Sequence, residues 1–509
     1  MMTQPEIQTL GALKKHGYTP KTVKDEIRDN LIKIIKEKKN PFQSVLGYED
    51  TVIPDVERAI LSRHNILFLG LRGQAKTRMA REMTHLLDEW IPVVGGSEIN
   101  DDPMLPISLY ARELIEEKGD ETPITWLHRS NRYGEKLATP DVSVADLIGD
   151  VDPIKAANMR LSFADERVIH YGIIPRSHRG IFVINELPDL QARIQVSLFN
   201  ILQEGDIQIR GFKLRMPLDI LFIFTANPED YTNRGSIVTP LKDRIESQIV
   251  THYPKTVELS KAITSQEAEV LPAQLKRVEI PDLCRTLVEQ VAMEARKSEY
   301  VDQKSGVSAR LTISAYENLV STAERRALRE QQEHTISRIS DFIGIIPSIT
   351  GKIELVYEGE QEGPQNVAYR LIGQAIRTVF TQYFPDPQTF KKSAKEAQRN
   401  KPNPNPYQPV IDWFGKGNDL MLLQDEPDAD YVQHLYNVSG LHAAVKQYYP
   451  NENEAHTALL MEFLLHGLSE FSLISKKGVE AGGYAFADIL GSMLNMSLGA
   501  DEDDQEDGF

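Results

Sequence analysis

Three short apolar runs stand out along the chain: Ile66-Leu67-Phe68-Leu69, Ile181-Phe182-Val183-Ile184 and Ile220-Leu221-Phe222-Ile223-Phe224. Each is too short for a typical helix and apolar on both alternating faces, which predicts strands buried in a parallel sheet between helices. After the first run, Met79, Met83, Leu86/Leu87 and Trp90 recur at helical spacing; after the second, Leu190, Ile194, Leu198 and Ile201/Leu202 do so before Gly205. Strands alternating with helices predict a three-layer α/β domain. Between the second helix and the third strand, Ile207-Gln208-Ile209 and Phe212-Lys213-Leu214 alternate around Arg210-Gly211, the pattern of a projecting β-hairpin. From about Lys255 to Gly351 the pattern turns helical, with Leu283, Leu287 and Val291 and later Leu311, Tyr316 and Leu319.

The ends and joints read differently. Between Lys14 and Lys39, the spacing of Val23, Ile27, Leu31 and Ile34/Ile35 suits an amphipathic helix with a solvated cationic face. Residues 385–409 are rich in Pro, Asn and charge and predict a flexible linker. Helical patterning resumes near Tyr431, and the closing DEDDQEDGF is a solvated acidic tail. The expected organisation is a helical extension over 1–40, an α/β domain over 41–254 and a helical domain over 255–355. A helical connector over 356–384, the linker over 385–409 and a helical region with its acidic tail over 410–509 follow.

Composition bounds this picture more than it changes it. At 509 residues the chain exceeds one hydrophobic core, and roughly 150 residues per domain suggests about three domains. Hydrophobic residues at 41% and charged residues at 26% supply real cores. No stretch approaches the ~18 uninterrupted apolar residues that span a bilayer. The amino terminus lacks an apolar run of signal-peptide length, and Cys284 is the single cysteine, so no disulfide within one chain can form and a cytoplasmic location is expected. A net charge of -17 argues against nucleic acid as the main partner, because phosphate backbones need a basic face.

The chemistry lies at the ends of the apolar runs. The first leads straight into Gly70-Leu71-Arg72-Gly73-Gln74-Ala75-Lys76-Thr77 and then a helix. In that context backbone N–H groups surround phosphate, lysine neutralises it and the hydroxyl holds Mg²⁺. Gly70, Gly73, Gln74, Ala75, Lys76, Thr77 and Arg78 are therefore the candidate nucleotide-binding residues. The usual pattern has Gly where Ala75 stands, and a Cβ there crowds phosphate or strains the loop. The second run ends in Asn185-Glu186, where Asp-Glu is usual: Glu186 is the candidate catalytic base, and Asn185 can orient a metal-bound water but stabilises the cation less. The third ends in Thr225-Ala226-Asn227-Pro228, whose Asn227 can hydrogen-bond a terminal phosphate or the attacking water; Asn-Pro also initiates turns. Ligands of open α/β sheets bind at the carboxyl ends of strands. Asp101, Asp102 and Asp165/Glu166 have no metal-site spacing and are assigned to loops.

Taken together, NPFQSVLGYEDTVIPDVERAIL, the phosphate loop, VADLIGDVDP, RGIFVINELPDL, EGDIQIRGFKLRMP, FTANPEDYTNRG and TPLKDRI occur in an order that resembles magnesium chelatase ATPase subunits and MoxR-type AAA+ proteins, over roughly residues 41 to 320. The resemblance implies an AAA+ P-loop NTPase fold with a parallel three-layer core, a helical lid over 255–355 and a helical C-terminal region, with ATP and Mg²⁺ as cofactors. It implies that Val45-Leu46-Gly47 line the adenine pocket and that Asn227 is the sensor 1 residue. Arg244 looks like an arginine finger reaching a neighbouring subunit's ATP, which implies a homo-oligomeric, hexameric ring. Arg234 is a second candidate for that role, and Arg310 resembles sensor 2. Relatives of this kind act with a separate von Willebrand A domain protein, whose Asp-x-Ser-x-Ser motif this chain does not contain.

The implied function is an ATPase motor that remodels or activates a partner protein. Two alternatives stand beside it: an ATP-binding scaffold with weak hydrolysis, to which Ala75 and Asn185 point, and a regulator of the sigma-54-activator type. No GAFTGA-like loop supports the latter.

Overall fold

The computed structural model describes residues 4–163, 165–209, 215–228, 236–390, 405–479 and 482–489, in two compact units, Met1–Tyr253 and Pro254–Phe509. The first unit is built on a five-stranded sheet. In spatial order its strands are Ser247–Val250, Ile66–Leu69, Ile220–Ala226, Gly180–Asn185 and Tyr133–Leu137, all parallel. Successive side chains point to opposite faces, so each apolar run feeds two cores. Ile66, Phe68, Ile181, Val183, Leu221 and Ile223 pack on one face against the helix Val52–Leu61 and Met79. Leu67, Phe182, Ile184, Phe222 and Phe224 pack on the other against Ile194, Leu198 and Ile201 of the helix Ala192–Glu204. Fully burying one such side chain contributes about 1.5–3 kcal/mol, so runs without a polar face hold their place only between two layers of helix.

The amphipathic amino-terminal helix, Val23–Lys36, joins this unit by burying Val23, Ile27 and Leu31 in the first of those cores. Among its ties, Glu26 receives both guanidinium arms of Arg132 at 2.6 Å, and the Val23 amide donates to Asp219 at 2.7 Å.

Two details depart from the periodicity. The helical spacing after the first run ends sooner than expected: Lys76–Glu82 is α-helix, Met83–Leu86 a 3₁₀ turn, and Trp90 opens a strand, Trp90–Val94, antiparallel to Ile124–His128. Pro92 explains it, because proline excludes helix interior and drives Ile91 before it into extended backbone. The hairpin is present, but its paired arms are Asp206–Gln208 and Arg215–Pro217. Arg210-Gly211 and Phe212-Lys213-Leu214 lie outside the described residues. Gly205, at φ 69°, closes the preceding helix in the left-handed conformation glycine allows.

The second unit is dominated by helices, among them Val257–Glu267, Asp282–Ala295, Arg310–Arg329, Pro364–Tyr383 and Glu454–Glu470. Leu283, Leu287, Val291, Leu311, Tyr316 and Leu319 are all buried, in one core that continues to Phe486. Within it Arg326 and Asp341, both fully buried, pair at 3.0 Å, and Glu462 accepts the amides of Ile339 and Ser340 at 2.8 Å each. Its carboxy-terminal part also holds strands, Leu420–Leu423, Ser475–Gly478 and Gly483–Ala487, paired antiparallel. Residues 391–404 of the expected linker and 490–509 of the acidic tail lie outside the described residues. Among the described residues no helix is long and apolar enough to cross a membrane, and no cluster of His, Cys, Asp and Glu could hold a metal ion.

Candidate functional site

A parallel sheet delivers the carboxyl ends of all its strands to one edge. The register aligns Leu69 with Ala226 and Phe224 with Ile184, so the segments after those strands begin side by side. The Gly70 amide donates to the Ala226 carbonyl at 3.1 Å. A Cβ on Gly70 would lie 1.9 Å from Thr251 Oγ1 and 2.3 Å from Gln74 Oε1, so a larger residue there must displace both side chains. Gly73 takes φ 71°, and Ala75 takes φ 54° and ψ 18° immediately before the helix. For Ala75 that conformation costs roughly 1–2 kcal/mol, which glycine would escape.

The loop is tied to the sheet from behind. Gln74 Oε1 accepts the Thr251 hydroxyl at 2.7 Å, and the Gln74 carbonyl accepts the Tyr48 hydroxyl at 2.9 Å. Burial pushes the Tyr48 phenol up to about 12, so it remains a donor at neutral pH. Gln74 thus presents its side chain to Thr251.

At the front, buried Lys76 turns its ammonium onto the loop's own carbonyls, Gly70 O and, at 3.0 Å, Leu71 O, and donates to Asn227 Oδ1 at 2.7 Å. Asn227 Nδ2 in turn donates to Glu186 Oε2 at 2.8 Å. Beside this line, Asn185 Oδ1 accepts the hydroxyls of Thr77 at 3.1 Å and Thr225 at 3.0 Å, while its Nδ2 donates to Glu135 Oε1 at 2.7 Å. Thr225 Oγ1 also receives the Glu186 amide at 3.1 Å. Glu186 itself sits at φ 54° and ψ 50°. One pocket therefore holds Lys76, Thr77, Asn185, Glu186 and Asn227.

These residues fit a Mg–nucleotide. A glycine turn with little room for a Cβ, an ammonium folded over it, and a hydroxyl and an amide carbonyl side by side would suit a phosphate and offer hard oxygen donors of the kind Mg²⁺ takes.

Other expected residues of the first unit make different contacts. Arg78 donates its Nε to Ser44 Oγ at 3.1 Å. Val45 is packed into the core. Arg244 is held by its own chain: Nε and Nη2 donate to Gln203 Oε1 at 3.0 and 2.7 Å, Nη1 donates to the Pro240 carbonyl, and the guanidinium lies 5.2 Å from the Phe199 ring centroid. Arg310, exposed, begins the helix Arg310–Arg329 in the second unit. Arg234 lies outside the described residues. Asp101 and Asp102 are buried loop residues with structural partners, Asp101 accepting the Ser108 amide and hydroxyl and Asp102 pairing with Arg179 at 3.0 Å.

Two residues of the pocket went unread in the sequence. Thr225 carries a signal in hindsight, as a polar residue inside an otherwise apolar run. Glu135 carries none, because its place depends on pairing with a strand some 50 positions away.

A family model described as the Sigma-54 interaction domain matches residues 159–248. The magnesium-chelatase 38 kDa subunit of Cereibacter sphaeroides is 23% identical over 236 residues, covering 45% of this chain and 64% of that protein. The archaeal Lon protease of Thermococcus kodakarensis is 27% identical over 168 residues, covering 30% of this chain and 25% of that one. Among solved structures, a chain from the complex between subunits BchI and BchD of magnesium chelatase gives 18% identity, a TM-score of 0.33, and coverage of 63% of this chain and 98% of that one. A putative ATPase from Cytophaga hutchinsonii gives 16% identity, a TM-score of 0.29, and coverage of 69% and 95%. The chain thus spans less than two thirds of the curated relatives it matches.

Proposed function

We propose that this chain, which has the AAA+ fold and resembles the magnesium-chelatase ATPase subunit, binds ATP with Mg²⁺ in the pocket of Lys76, Thr77, Asn185, Glu186 and Asn227 and hydrolyses it. The observation that carries the reading is the unbroken line from Lys76 through Asn227 to Glu186, at 2.7 and 2.8 Å, alongside the Thr77–Asn185 pair. Bound Mg²⁺ supplies neutralisation of phosphate charge. Lys76 would bind the terminal phosphate, and the Thr77 hydroxyl and the Asn185 carbonyl would hold the cation. Asn227 fixes the Glu186 carboxylate through its Nδ2, and Glu186 takes a proton from the attacking water as its oxygen bonds to the terminal phosphorus, the bond from that phosphorus to the ADP oxygen breaks, and ADP and phosphate are released. Arg244 acts on the nucleotide of an adjoining copy in a ring, having exchanged Gln203 for phosphate oxygens, and Arg310 takes the sensor 2 role. The ring acts in the cytoplasm on a separate protein carrying a von Willebrand A domain.

The test is steady-state phosphate release by wild type and Glu186→Gln. Loss of about 10²–10⁴-fold in turnover with ATP binding retained is expected, since the base alone is removed. Equal, background-level release by both proteins would assign the chain to a nucleotide-binding scaffold instead. The match to the Sigma-54 interaction domain over 159–248 favours a second reading, a transcriptional regulator. Capture with the ATP-loaded Glu186→Gln protein separates the two: a sigma subunit supports the regulator, a von Willebrand A domain protein the motor.

A further inference from the structure

We infer that Glu135 is a positioning residue of the metal side of this pocket, supplying through the Asn185 amide the negative charge that a carboxylate at position 185 would bring; the inference rests on the ATP–Mg²⁺ reading above. Asn185 is held at both ends. Its Oδ1 faces the hydroxyls of Thr77 and Thr225 at 3.1 and 3.0 Å, and its Nδ2 donates to Glu135 Oε1 at 2.7 Å. An amide whose N–H rests on a carboxylate is polarised, with more electron density on the carbonyl oxygen that points at Thr77. Partners of this kind, one shell behind the groups that touch a metal, orient the ligand and raise its basicity.

The geometry comes from strand register. Tyr133–Leu137 lies parallel to Gly180–Asn185, with Glu135 opposite Val183 and Leu137 opposite Asn185. Residues two apart share a face, so Glu135 reaches Asn185 as its diagonal neighbour. Arg81 grips the carboxylate at 3.0 and 3.2 Å, and the Tyr133 hydroxyl donates to it at 3.0 Å. Arg81 lies one helical turn beyond Thr77, so Glu135 is clamped between the strand that carries Asn185 and the helix that carries the phosphate-loop hydroxyl. Burial beside that carboxylate pushes the Tyr133 phenol up, which keeps it a donor.

A salt bridge to Arg81 does not by itself account for the arrangement. Arg81 is 63% exposed, and pairs that open to water contribute ~0–1 kcal/mol. The contact with Asn185 also makes the two positions reciprocal. With Asp at 185, two carboxylates would meet at the 2.7 Å separation that the amide now bridges, and both could not stay ionised. One negative charge serves the pair, and in this chain it sits at 135.

The test titrates Mg²⁺ against binding of a fluorescent ATP analogue to the full chain, with a parallel measurement in EDTA. Glu135→Gln is expected to raise the Mg²⁺ concentration for half-saturation about 10–100-fold while leaving affinity in EDTA unchanged. Adding Asn185→Asp to that variant returns the charge to the metal side and should restore the wild-type titration, whereas Asn185→Asp alone should not improve on wild type. An unshifted Mg²⁺ titration in Glu135→Gln, or an equal loss in EDTA, overturns the inference and leaves the ATP reading standing. A wild-type chain that binds no nucleotide overturns both. If the double variant does not fold, the split between Mg²⁺ and EDTA in Glu135→Gln decides alone.

Discussion

At the amino ends of the central strands, opposite the phosphate loop, His178 and Asp219 should oppose each other in the pH dependence of stability. The Asp219 amide donates to His178 Nδ1 at 2.9 Å, so the ring must be neutral at that nitrogen, while the Asp219 carboxylate accepts the Val23 amide at 2.7 Å. Burial, reinforced by Arg179, lowers His178 from 6.5 to about 4; burial raises Asp219 from 3.8 to about 6 against the pull of the Val23 amide and Arg179. The signs differ. For His178 the folded form resists protonation, so its stability term is complete above pH 6.5 and is lost as pH falls toward 4. For Asp219 the folded form resists ionisation, so its term is complete below pH 3.8 and is lost as pH rises toward 6. At ~1.4 kcal/mol per pH unit each amounts to about 3 kcal/mol, and across the shared window the two nearly cancel.

Removing one exposes the other. Asp219→Asn keeps an acceptor for Val23 and should gain about 3 kcal/mol on wild type between pH 4 and 6.5. His178→Asn keeps an acceptor for the Asp219 amide and should show the reverse trend, gaining on wild type as pH falls through the same range. Urea unfolding read from Trp90 and Trp126, in a Trp413→Phe background so that the first unit alone reports, measures both. Difference curves flat with pH for both variants would refute the reasoning, and slopes of the same sign would refute the assignment of the two groups.

Three further outcomes follow from contacts already described. Gly70→Ala drives a methyl into Thr251 and Gln74 and should cost about 1–3 kcal/mol, visible as a lower thermal midpoint, with weaker ATP binding because the loop must open. Arg244→Ala should leave ATP affinity unchanged and lower turnover by about 10³-fold or more if the residue acts on an adjoining copy; mixing it with Glu186→Gln protein, each supplying what the other lacks, should restore part of the activity. Asp341→Ala strands Arg326 without its fully buried partner and should destabilise the second unit by about 3–5 kcal/mol in denaturant unfolding.

The parts of this architecture most legible in the sequence were those fixed by burial on both sides. The three central strands announce themselves because, short of their carboxyl ends, they are buried on both faces and apolar throughout. Their sheet neighbours do not: Tyr133–Leu137 carries Glu135 and Lys136, and Ser247–Val250 carries Ser247 and Gln248, because each lies at an edge of the sheet and is only partly covered. Lys76, Thr77, Asn185, Glu186 and Asn227 could be named because each follows a recognisable run. Glu135 and Gln203 could not, since what they touch is set by pairing and packing between distant segments. Trp90 misled because its spacing from Met79 and Met83 is helical while Pro92 just beyond it forbids the helix.

Ala75 and Glu186 share one further property, a left-handed backbone at φ 54°. Branched side chains such as Val, Ile and Thr suffer most in that conformation, whereas Gly, Asn and Asp bear it best. Position 186 is therefore filtered twice, by its torsion angles and by its proton chemistry, and position 75 by torsion angles and by the space beside phosphate. A saturation library sorted first for folded protein and then for turnover should enrich the small and acyclic polar replacements at both positions in the first sort, then discard nearly all of them at 186 and the bulkier of them at 75.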